Sequence, residues 1–314
     1  MNFRYFKIPW PYLALIFAHL IWGANTVIAK ITMQEIPVMS LSFLRFALAS
    51  LLLVPFLITL ERKHLKVKLD HLPKLLMASF LMITCTIALS YEGLKLTTAI
   101  DSSVLGLVVP IISVLGGWLV LKEHIYLINL LGIGIGLLGG LVIIGLPLLL
   151  FGGFAPTNLL GDLLIILSGF TFVAGTIVAK DILDKYPTLV FTAISFLVGV
   201  FSFAIPAVNE YIQSPSWVTN VTFLGILGLL YITILSSVCA FILMEWGLKK
   251  TSVIKANLFQ YIEPAMAATL AVPILGERIS YSFIIGTVLI VLGVYWGTLG
   301  KPHHYLLKHR HHRS

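Results

Sequence analysis

The sequence predicts an all-α polytopic membrane protein with ten transmembrane helices, arranged as two inverted five-helix repeats. Hydrophobic residues make up 59% of the 314-residue chain and charged residues only 11%, and the mean hydropathy is +1.01. Because soluble domains are roughly one quarter charged, we expect this chain to span the lipid bilayer. Its uncharged runs reach the roughly 20 residues that a spanning helix needs, and the alternation typical of a barrel is absent.

Ten spans follow one another along the chain. They cover about residues 10–29, 38–59, 74–92, 98–121, 125–146, 160–180, 188–208, 221–246, 255–275 and 279–300. Gly and Pro residues divide the long uncharged stretch from Ile125 to Gly161 into the end of one span, a loop and the start of the next. The first run has no small-residue cleavage site, so it is interpreted as a span and not as a removed signal.

Lys and Arg residues are unequally distributed between alternate loops. With the N-terminus in the cytoplasm, 17 of these residues lie inside, and only Lys30, Lys95 and Arg278 lie outside. Cytoplasmic loops carry such an excess, so both termini are predicted to be cytoplasmic in a multi-pass protein of the cell (inner) membrane. The net charge of +8 is thereby assigned to membrane topology, and no nucleic-acid partner is predicted.

Residues 301–314 form a His-rich, basic end of the chain. We interpret them as a basic cytoplasmic tail, with a metal-binding tract as the alternative. Cys85 and Cys239 both lie inside apolar runs, where a thiol packs as a small hydrophobic group. The sequence therefore predicts no disulfide framework, no metal site and no cofactor.

The chain contains an internal repeat. Residues 22–30 match 172–180 at an offset of 150, and residues 85–139 match 239–293 at an offset of 154, with 14 identities in 55 pairs. The repeats are predicted to cover residues 1–149 and 158–300. Because each holds five spans, an odd number, the second must enter the membrane inverted, which is typical of transporters.

The order and spacing of the shared residues are those of a known family. They are Trp22-Gly23-Ala24-Asn25, Lys30, Arg45-Phe46, Gly93-Leu94-Lys95, Thr97-Thr98-Ala99, Pro110, Lys122-Glu123, Gly132, Gly139, Glu263-Pro264, Gly276-Glu277-Arg278, Gly286 and Gly293. In this respect the chain resembles the ten-helix drug/metabolite transporters of the EamA type. The resemblance implies uptake or export of small organic metabolites, such as amino acids, through a central cavity between the halves.

Candidate cavity residues lie on the ninth and fourth spans. Asn257, Gln260 and Tyr261 have the i, i+3, i+4 spacing of one helical face, which is predicted to line the cavity. Hydrogen bonding between helices is the alternative. The matched face of the fourth span carries Ser103, with Ser102 beside it, and forms a smaller and less polar wall.

The first two spans supply further candidates. Trp22 and Asn25 share a face of the first span and are predicted to line the cavity, with aromatic area and an amide that donates and accepts. His19 and Glu263 are candidates for proton coupling, although a packing role for His19 and a bracing role for Glu263 are preferred. Arg45 lies within the second span, where an ion pair is preferred over substrate contact.

Four residues are predicted hinges or gates, and a ridge of small residues suggests close packing. Pro110 and Pro264 remove backbone hydrogen bonds within spans and act as hinges or static kinks. Tyr91 and Trp246, at matched ends of the third and eighth spans, act as gates or interfacial anchors. The ridge of Gly132, Gly136 and Gly140 indicates close helix packing, within the monomer or between the protomers of a homodimer.

The function predicted from these features is transport of a small-molecule substrate by alternating access, not catalysis. The alternative transporter is a proton-coupled carrier of drugs or nucleotide-type metabolites. The competing class is an intramembrane lipid-modifying enzyme, which needs a nucleophile with a base or clustered His and carboxylate groups. Motifs of the His-Glu-x-x-His and Gly-x-Ser-x-Gly types do not occur.

Overall fold

The computed structural model describes residues 9–61, 67–97, 99–151, 159–275 and 281–298, and this part of the chain is helical without strands. Six of its helical stretches are long and apolar enough to cross a membrane, and three shorter helices are also apolar. The protein is thus a polytopic membrane protein, while the total of ten spans and the side of the termini stay predictions. The tail and the turn at 276–278 lie outside the described residues.

Helices follow one another with short connections. The first half contains α1 (Trp10–Thr32), α2 (Val38–Leu60), α3 (Leu72–Ser79), α4 (Thr86–Leu96), α5 (Ala99–Leu105), α6 (Val108–Leu121) and α7 (Leu127–Phe151). The second half contains α8 (Leu159–Leu183), α9 (Thr188–Gln213), α10 (Trp217–Asn220), α11 (Phe223–Tyr231), α12 (Ala240–Lys250), α13 (Val253–Leu258), α14 (Ile262–Leu275) and α15 (Tyr281–Thr298). A 3₁₀ turn at Leu69–His71 leads into α3.

Two π-helical segments lie at matched positions in the halves. Phe80–Cys85 joins α3 to α4, and Ile232–Cys239 joins α11 to α12, with Cys85 and Cys239 separated by the repeat offset of 154. The hydroxyl of Ser237 donates to the carbonyl of Ile232, five residues earlier, at 2.8 Å. The wide turns are therefore stabilised partly by side chains, and both stretches remain single membrane-crossing helices.

Neither the predicted fourth span nor the predicted ninth span is a continuous α-helix, in contrast to the regular helical face expected on the ninth. The fourth is interrupted at residues 106–107, and the ninth contains a 3₁₀ turn at Phe259–Tyr261. Pro110 and Pro264 follow as the third residues of α6 and α14. A proline ring clashes with the carbonyl four residues earlier, here that of Gly106 or Gln260, so regular α-helix ends at both places.

Helix directions can be followed from contacts. We name the two ends of the bundle the Trp10 side, where α1 begins, and the Thr32 side, where α1 ends. Lys30 Nζ donates to three carbonyls at the end of α4, at 2.5–3.4 Å, so α4 ends on the Thr32 side. There Gly93 touches the start of α8, because a Cβ on Gly93 would lie 2.9 Å from the Gly161 oxygen. Helix α8 therefore runs opposite to α1.

Lys180 repeats the Lys30 contact at the other end of the bundle. Its Nζ donates to the carbonyls of Leu248, at 2.6 Å, and of Thr251, at 2.5 Å, where α12 ends. The two lysines are 150 residues apart and the carbonyls they bind are 154 apart. The last carbonyls of a helix lack intrahelical partners, so one lysine in each half satisfies them, at opposite ends of the bundle.

Glycines bring α7 and α15 into backbone contact. A Cβ on Gly132 would lie 2.2 Å from the backbone nitrogen of Gly297, and a Cβ on Gly293 would lie 2.4 Å from that of Gly136. Such separations are below van der Waals contact, so side chains larger than hydrogen do not fit at these positions. Gly132 and Gly136 of the predicted ridge thus pack within the chain, whereas the surroundings of Gly140 lie outside the described part and the homodimer stays a prediction.

Candidate cavity between the two halves

A cavity of about 870 Å³, its open mouth included, lies among helices of both halves. The cavity extends from the middle of the bundle toward the Thr32 side. Its lining consists of Trp22, Asn25, Thr26, Arg45, Met82, Thr86, Ile87, Ser90, Tyr91, Ser102, Ser103, Gly106, Val109, Ile165, Ser168, Gly169, Phe172, Ser236, Phe241, Gln260 and Glu263.

Aromatic rings form the middle of the cavity. Trp22 meets Phe172 edge to face, with ring centroids 5.9 Å apart, and meets Phe241 at 5.1 Å. The indole Nε1 donates to the carbonyl of Ser236, in the second π-helical segment, at 3.0 Å. The ring of Trp22 is therefore fixed in orientation, with its polar atom satisfied and its apolar face available.

The middle of the cavity also lies on the local axis that relates the halves. Trp22 and Phe172 are repeat partners, and they touch each other. Gly106 and Gln260 are repeat partners at the two helix breaks, and a Cβ on Gly106 would lie 3.3 Å from Gln260 Nε2. A residue can meet its own repeat partner only near the axis, so both halves contribute to the centre of the cavity.

Arg45 lies on the cavity wall with only 1% of its surface exposed. Its Nη1 donates to the Tyr91 hydroxyl at 2.5 Å and its Nε to the Ser237 hydroxyl at 2.9 Å, while the guanidinium lies 4.9 Å from the Phe46 ring centroid. Within the described part of the chain, no carboxylate lies within 4.0 Å of it. The ion pair preferred from the sequence is therefore replaced there by hydroxyl and aromatic partners.

The cavity lining includes three residues that the sequence predicted there, Asn25, Ser102 and Ser103. Asn25 Nδ2 lies 3.5 Å from the Tyr91 hydroxyl, and its Oδ1 is buried without a hydrogen bond to the protein. The Ser103 hydroxyl donates to the Ala99 carbonyl within its own helix at 2.8 Å. These groups keep acceptor capacity toward the cavity.

His19 and Glu263 form a hydrogen-bonded pair beside the cavity. His19 Nδ1 and Glu263 Oε1 are 2.8 Å apart; the His19 side chain is fully buried, whereas 19% of the Glu263 side chain is exposed. Gly23 lets α1 approach closely, because a Cβ there would lie 2.7 Å from the Glu263 carbonyl oxygen. Glu263 therefore braces α1, as the sequence indicated, and in addition faces the cavity.

Asn257 and Tyr261 do not line the cavity, in contrast to the predicted face. Both are fully buried. Asn257 Nδ2 donates to Ser113 Oγ at 2.8 Å and lies 3.4 Å from Thr176 Oγ1, and the Tyr261 ring packs on Gly136. The 3₁₀ turn changes the angle between successive side chains, so only the glutamine between them points into the cavity. Whether any of these residues binds substrate stays a prediction.

The predicted hinges and gates occupy different places. Pro110 and Pro264 are buried directly after the two helix breaks. Tyr91 is 2% exposed and lies on the cavity wall, whereas Trp246 is half-buried and lies outside the lining. Among the described residues, no group of three or more His, Cys, Asp or Glu side chains is arranged to hold a metal ion.

Several lining residues were not identified from the sequence. Phe172 had a signal, because it aligns with Trp22 in the repeat. Phe241, Ser168 and Ser236 had none, because an isolated aromatic or hydroxyl residue in an apolar span has no pattern that separates a cavity position from a packed one.

The sequence matches the EamA-like transporter family twice, over residues 9–145 and 159–298. The chain belongs to the EamA-like transporter family. Relatives of this EamA-like transporter include a protein of Archaeoglobus fulgidus described as an uncharacterized transporter, 28% identical over 293 residues, which are 93% of this chain and 98% of the relative.

Two further relatives and a solved structure extend the comparison. The uncharacterized transporter YoaV of Bacillus subtilis is 25% identical over 91% of this chain and 96% of its own length. The WAT1-related protein At3g18200 of Arabidopsis thaliana is 25% identical over 82% and 73%. A crystal structure at 20% identity matches with a TM-score of 0.75 over 92% of this chain and 96% of that one, which shows a shared fold.

Proposed function

We propose that this EamA-like transporter moves small zwitterionic metabolites, amino acids among them, across the cell membrane by alternating access. The observation that carries the proposal is that one cavity is lined by a buried cation, Arg45, and a partly exposed carboxylate, Glu263. Charged side chains are costly inside a bilayer and usually serve a substrate or ion pathway. A zwitterion carries the complement of both groups.

Arg45 is suited to a substrate carboxylate. The hydrogen bonds described above use Nε and Nη1, which leaves Nη2 to donate to a ligand. Among the described residues, this cation has no carboxylate partner, so an anionic substrate group would offset the cost of its burial. The Tyr91 and Ser237 hydroxyls hold the guanidinium in place before the substrate arrives, which reduces the entropy lost on binding.

Glu263 and the aromatic centre complete the site. The carboxylate can accept from a substrate ammonium group while His19 holds its other oxygen. Between the two charged groups, Trp22, Phe172 and Phe241 offer apolar area for a side chain.

The closed Trp10 side of the bundle supports alternating access. Among the described residues, the cavity lining extends toward the Thr32 side, whereas Asn257, Ser113 and Thr176 close the path on the Trp10 side with buried hydrogen bonds. Because the halves are inverted repeats, exchanging their conformations would close the first side and open the second around the same central site.

Exchange of radiolabelled amino acids by the purified protein in liposomes tests the proposal. Wild-type protein should exchange at least one amino acid faster than empty vesicles. Arg45→Gln should raise KM for substrates with a free carboxylate, and Glu263→Gln should raise KM for those with a free ammonium group. Loss of a buried charged contact costs roughly 2–5 kcal/mol, or about 30-fold or more in KM.

Matched analogues serve as controls. An amino acid amide lacks the carboxylate, so its transport should not respond to Arg45→Gln; an N-acetyl amino acid lacks the ammonium group, so its transport should not respond to Glu263→Gln. Arg45→Lys keeps the charge but not the planar donor fork, and an intermediate KM is expected. Equal effects of each substitution on all substrates, or no exchange at all, would contradict the proposal.

A further inference from the structure

Glu245 is a fully buried carboxyl group outside the cavity. It lies on α12, five residues before that helix ends on the Trp10 side, and none of its surface is exposed. Its Oε2 is in hydrogen-bond contact with the hydroxyl of Thr192 on α9, and its Oε1 has no hydrogen-bond partner. In the part of the chain that the structure describes, no basic side chain lies within 4.0 Å of Glu245.

The hydrogen-bond partners of Glu245 indicate that it carries a proton. Thr192 has one hydroxyl hydrogen, and that hydroxyl is placed to donate to the Thr188 carbonyl at 2.9 Å. If Glu245 is un-ionised, its O–H donates to Thr192 Oγ1, and every donor in the chain of contacts is satisfied. If it is ionised, a charge with one hydrogen bond and no cation is buried, which is the costlier arrangement.

No neighbouring charge changes this conclusion. Helices α1, α8, α9 and α13 and the second π-helical segment pack against α12 or continue into it. Their ionisable groups, with those of α12 itself, are Tyr12, His19, Lys30, Asp162, Lys180, Asp181, Glu210, Tyr211, Cys239, Lys249, Lys250 and Lys255.

The nearby lysines are committed elsewhere. Lys180 donates to backbone carbonyls at the end of α12, and Lys249 donates to the Tyr186 carbonyl at 2.8 Å. His19 is paired with Glu263. None of these groups compensates a negative charge on Glu245.

The repeat indicates when this group meets water. Glu245 is the partner of Tyr91 at the offset of 154, and Tyr91 lines the cavity that extends toward the Thr32 side. In the conformation with the halves exchanged, Glu245 would therefore line a cavity that opens toward the Trp10 side. This step rests on the alternating access of the proposed function.

We propose that Glu245 is a proton-binding site that controls closure of the Trp10 side. When that side opens, the O–H bond of the acid breaks, the proton passes to water and a carboxylate remains. When the side closes, the carboxylate takes a proton back from water, because the buried position has no cation to balance a charge. Alkaline solution on the Trp10 side therefore favours the open state of that side, by up to about tenfold per pH unit once the exposed acid is ionised.

Infrared spectroscopy tests the proton directly. The C=O stretching band of an un-ionised carboxylic acid is separate from the carboxylate bands. We expect it in the wild-type protein at neutral pH and expect the difference spectrum against Glu245→Gln to contain it. The Gln side chain can donate to Thr192 as the neutral acid does, so this variant should fold. Absence of the band from the difference spectrum would overturn the proposal.

A cysteine reporter tests the control of closure. The background chain carries Cys85→Ala and Cys239→Ala, and Thr176→Cys then places a single thiol on the closed Trp10 side. Labelling of this thiol by N-ethylmaleimide is measured in nanodiscs at neutral and mildly alkaline pH. With Glu245 present, labelling should rise with pH several-fold more than with Glu245→Gln. The same reporter is used in both, so the pH dependence of the thiol itself cancels.

Glu210 provides a matched control. It is a carboxylate that accepts hydrogen bonds from the backbone N–H groups of Met39 and Ser40 on the Thr32 side, so Glu210→Gln should leave the pH response of the reporter intact. An equal pH response with and without Glu245 would overturn the proposal. If no solute is exchanged by any variant while the infrared band and the pH response are present, the transport function fails and the proton site stands.

Discussion

The two halves of the bundle place equivalent residues in opposite surroundings. Thr26 and Ser103 line the cavity on the Thr32 side. Their repeat partners, Thr176 and Asn257, are fully buried on the Trp10 side and contact each other at 3.4 Å. Asn257 also binds Ser113. Equivalent helical positions are therefore open in one half and closed in the other.

The difference arises from packing between helices and not from the helices themselves. Both halves have the lysine at the helix end, the π-helical segment and the break before a proline. What differs is that Asn257 joins α13 to α6 and to α8 by hydrogen bonds on the Trp10 side, whereas the hydroxyl of its repeat partner Ser103 bonds within its own helix. A repeat in sequence fixes local geometry, while the contacts between elements decide which side is accessible.

The largest expected effect is on thiol accessibility. In a chain without Cys85 and Cys239, Thr26→Cys and Ser103→Cys should react readily with a small maleimide, while Thr176→Cys and Asn257→Cys should react about 10- to 1,000-fold more slowly. Minor conformations are typically populated at about 0.1–10%, which sets this range. Similar rates for all four thiols would mean that the halves do not differ in accessibility.

A smaller effect on thiol labelling is expected when a hydrogen bond on the closed Trp10 side is removed. Asn257→Ala removes the hydrogen bond from α13 to Ser113 on α6, at a cost of about 1 kcal/mol, so labelling of Thr176→Cys should rise about fivefold. Ser103→Ala is the matched control, because the Ser103 hydroxyl bonds only within its own helix. The proposed closing role of Asn257 would be wrong if both substitutions had the same effect.

The smallest effect on the difference in accessibility between the halves is expected from the two lysines that bind helix ends. Lys30→Met and Lys180→Met each remove charged donors from carbonyls, so each should lower stability by roughly 1.5–3 kcal/mol, measured by thermal unfolding in detergent. Neither should change which of the four thiols reacts. A selective change in one half would show that the lysines contribute to the asymmetry after all.

Much of the architecture could be predicted because apolar spans and repeated residues are local signals. The positions of Trp22, Asn25 and Gln260 on the cavity followed from helical spacing and agree with the structure. The burial of Asn257 and Tyr261 away from the cavity could not be predicted, because the 3₁₀ turn between helices shifts the face that a regular helix would present. The sequence shows the proline that causes the break, but not the direction in which the chain continues.

The side chains that surround the charged residues could not be predicted from the sequence either. Arg45 was expected to meet a carboxylate, and its partners are instead hydroxyls from two distant helices. No sequence pattern indicates that Glu245 is buried, because a glutamate near a helix end is usually solvated. Its complete burial depends on α9, which is far away in sequence.

The glycine contacts between α7 and α15 have a mechanical consequence. Backbone lies directly on backbone there, with Gly132 against Gly297 and Gly293 against Gly136. Sliding along such a seam cannot be accommodated by side-chain rotamers, because there are none between the helices. We expect the pair to behave as a stiff strut in any conformational exchange, so that bending is left to the helices interrupted at Gly106 and Gln260.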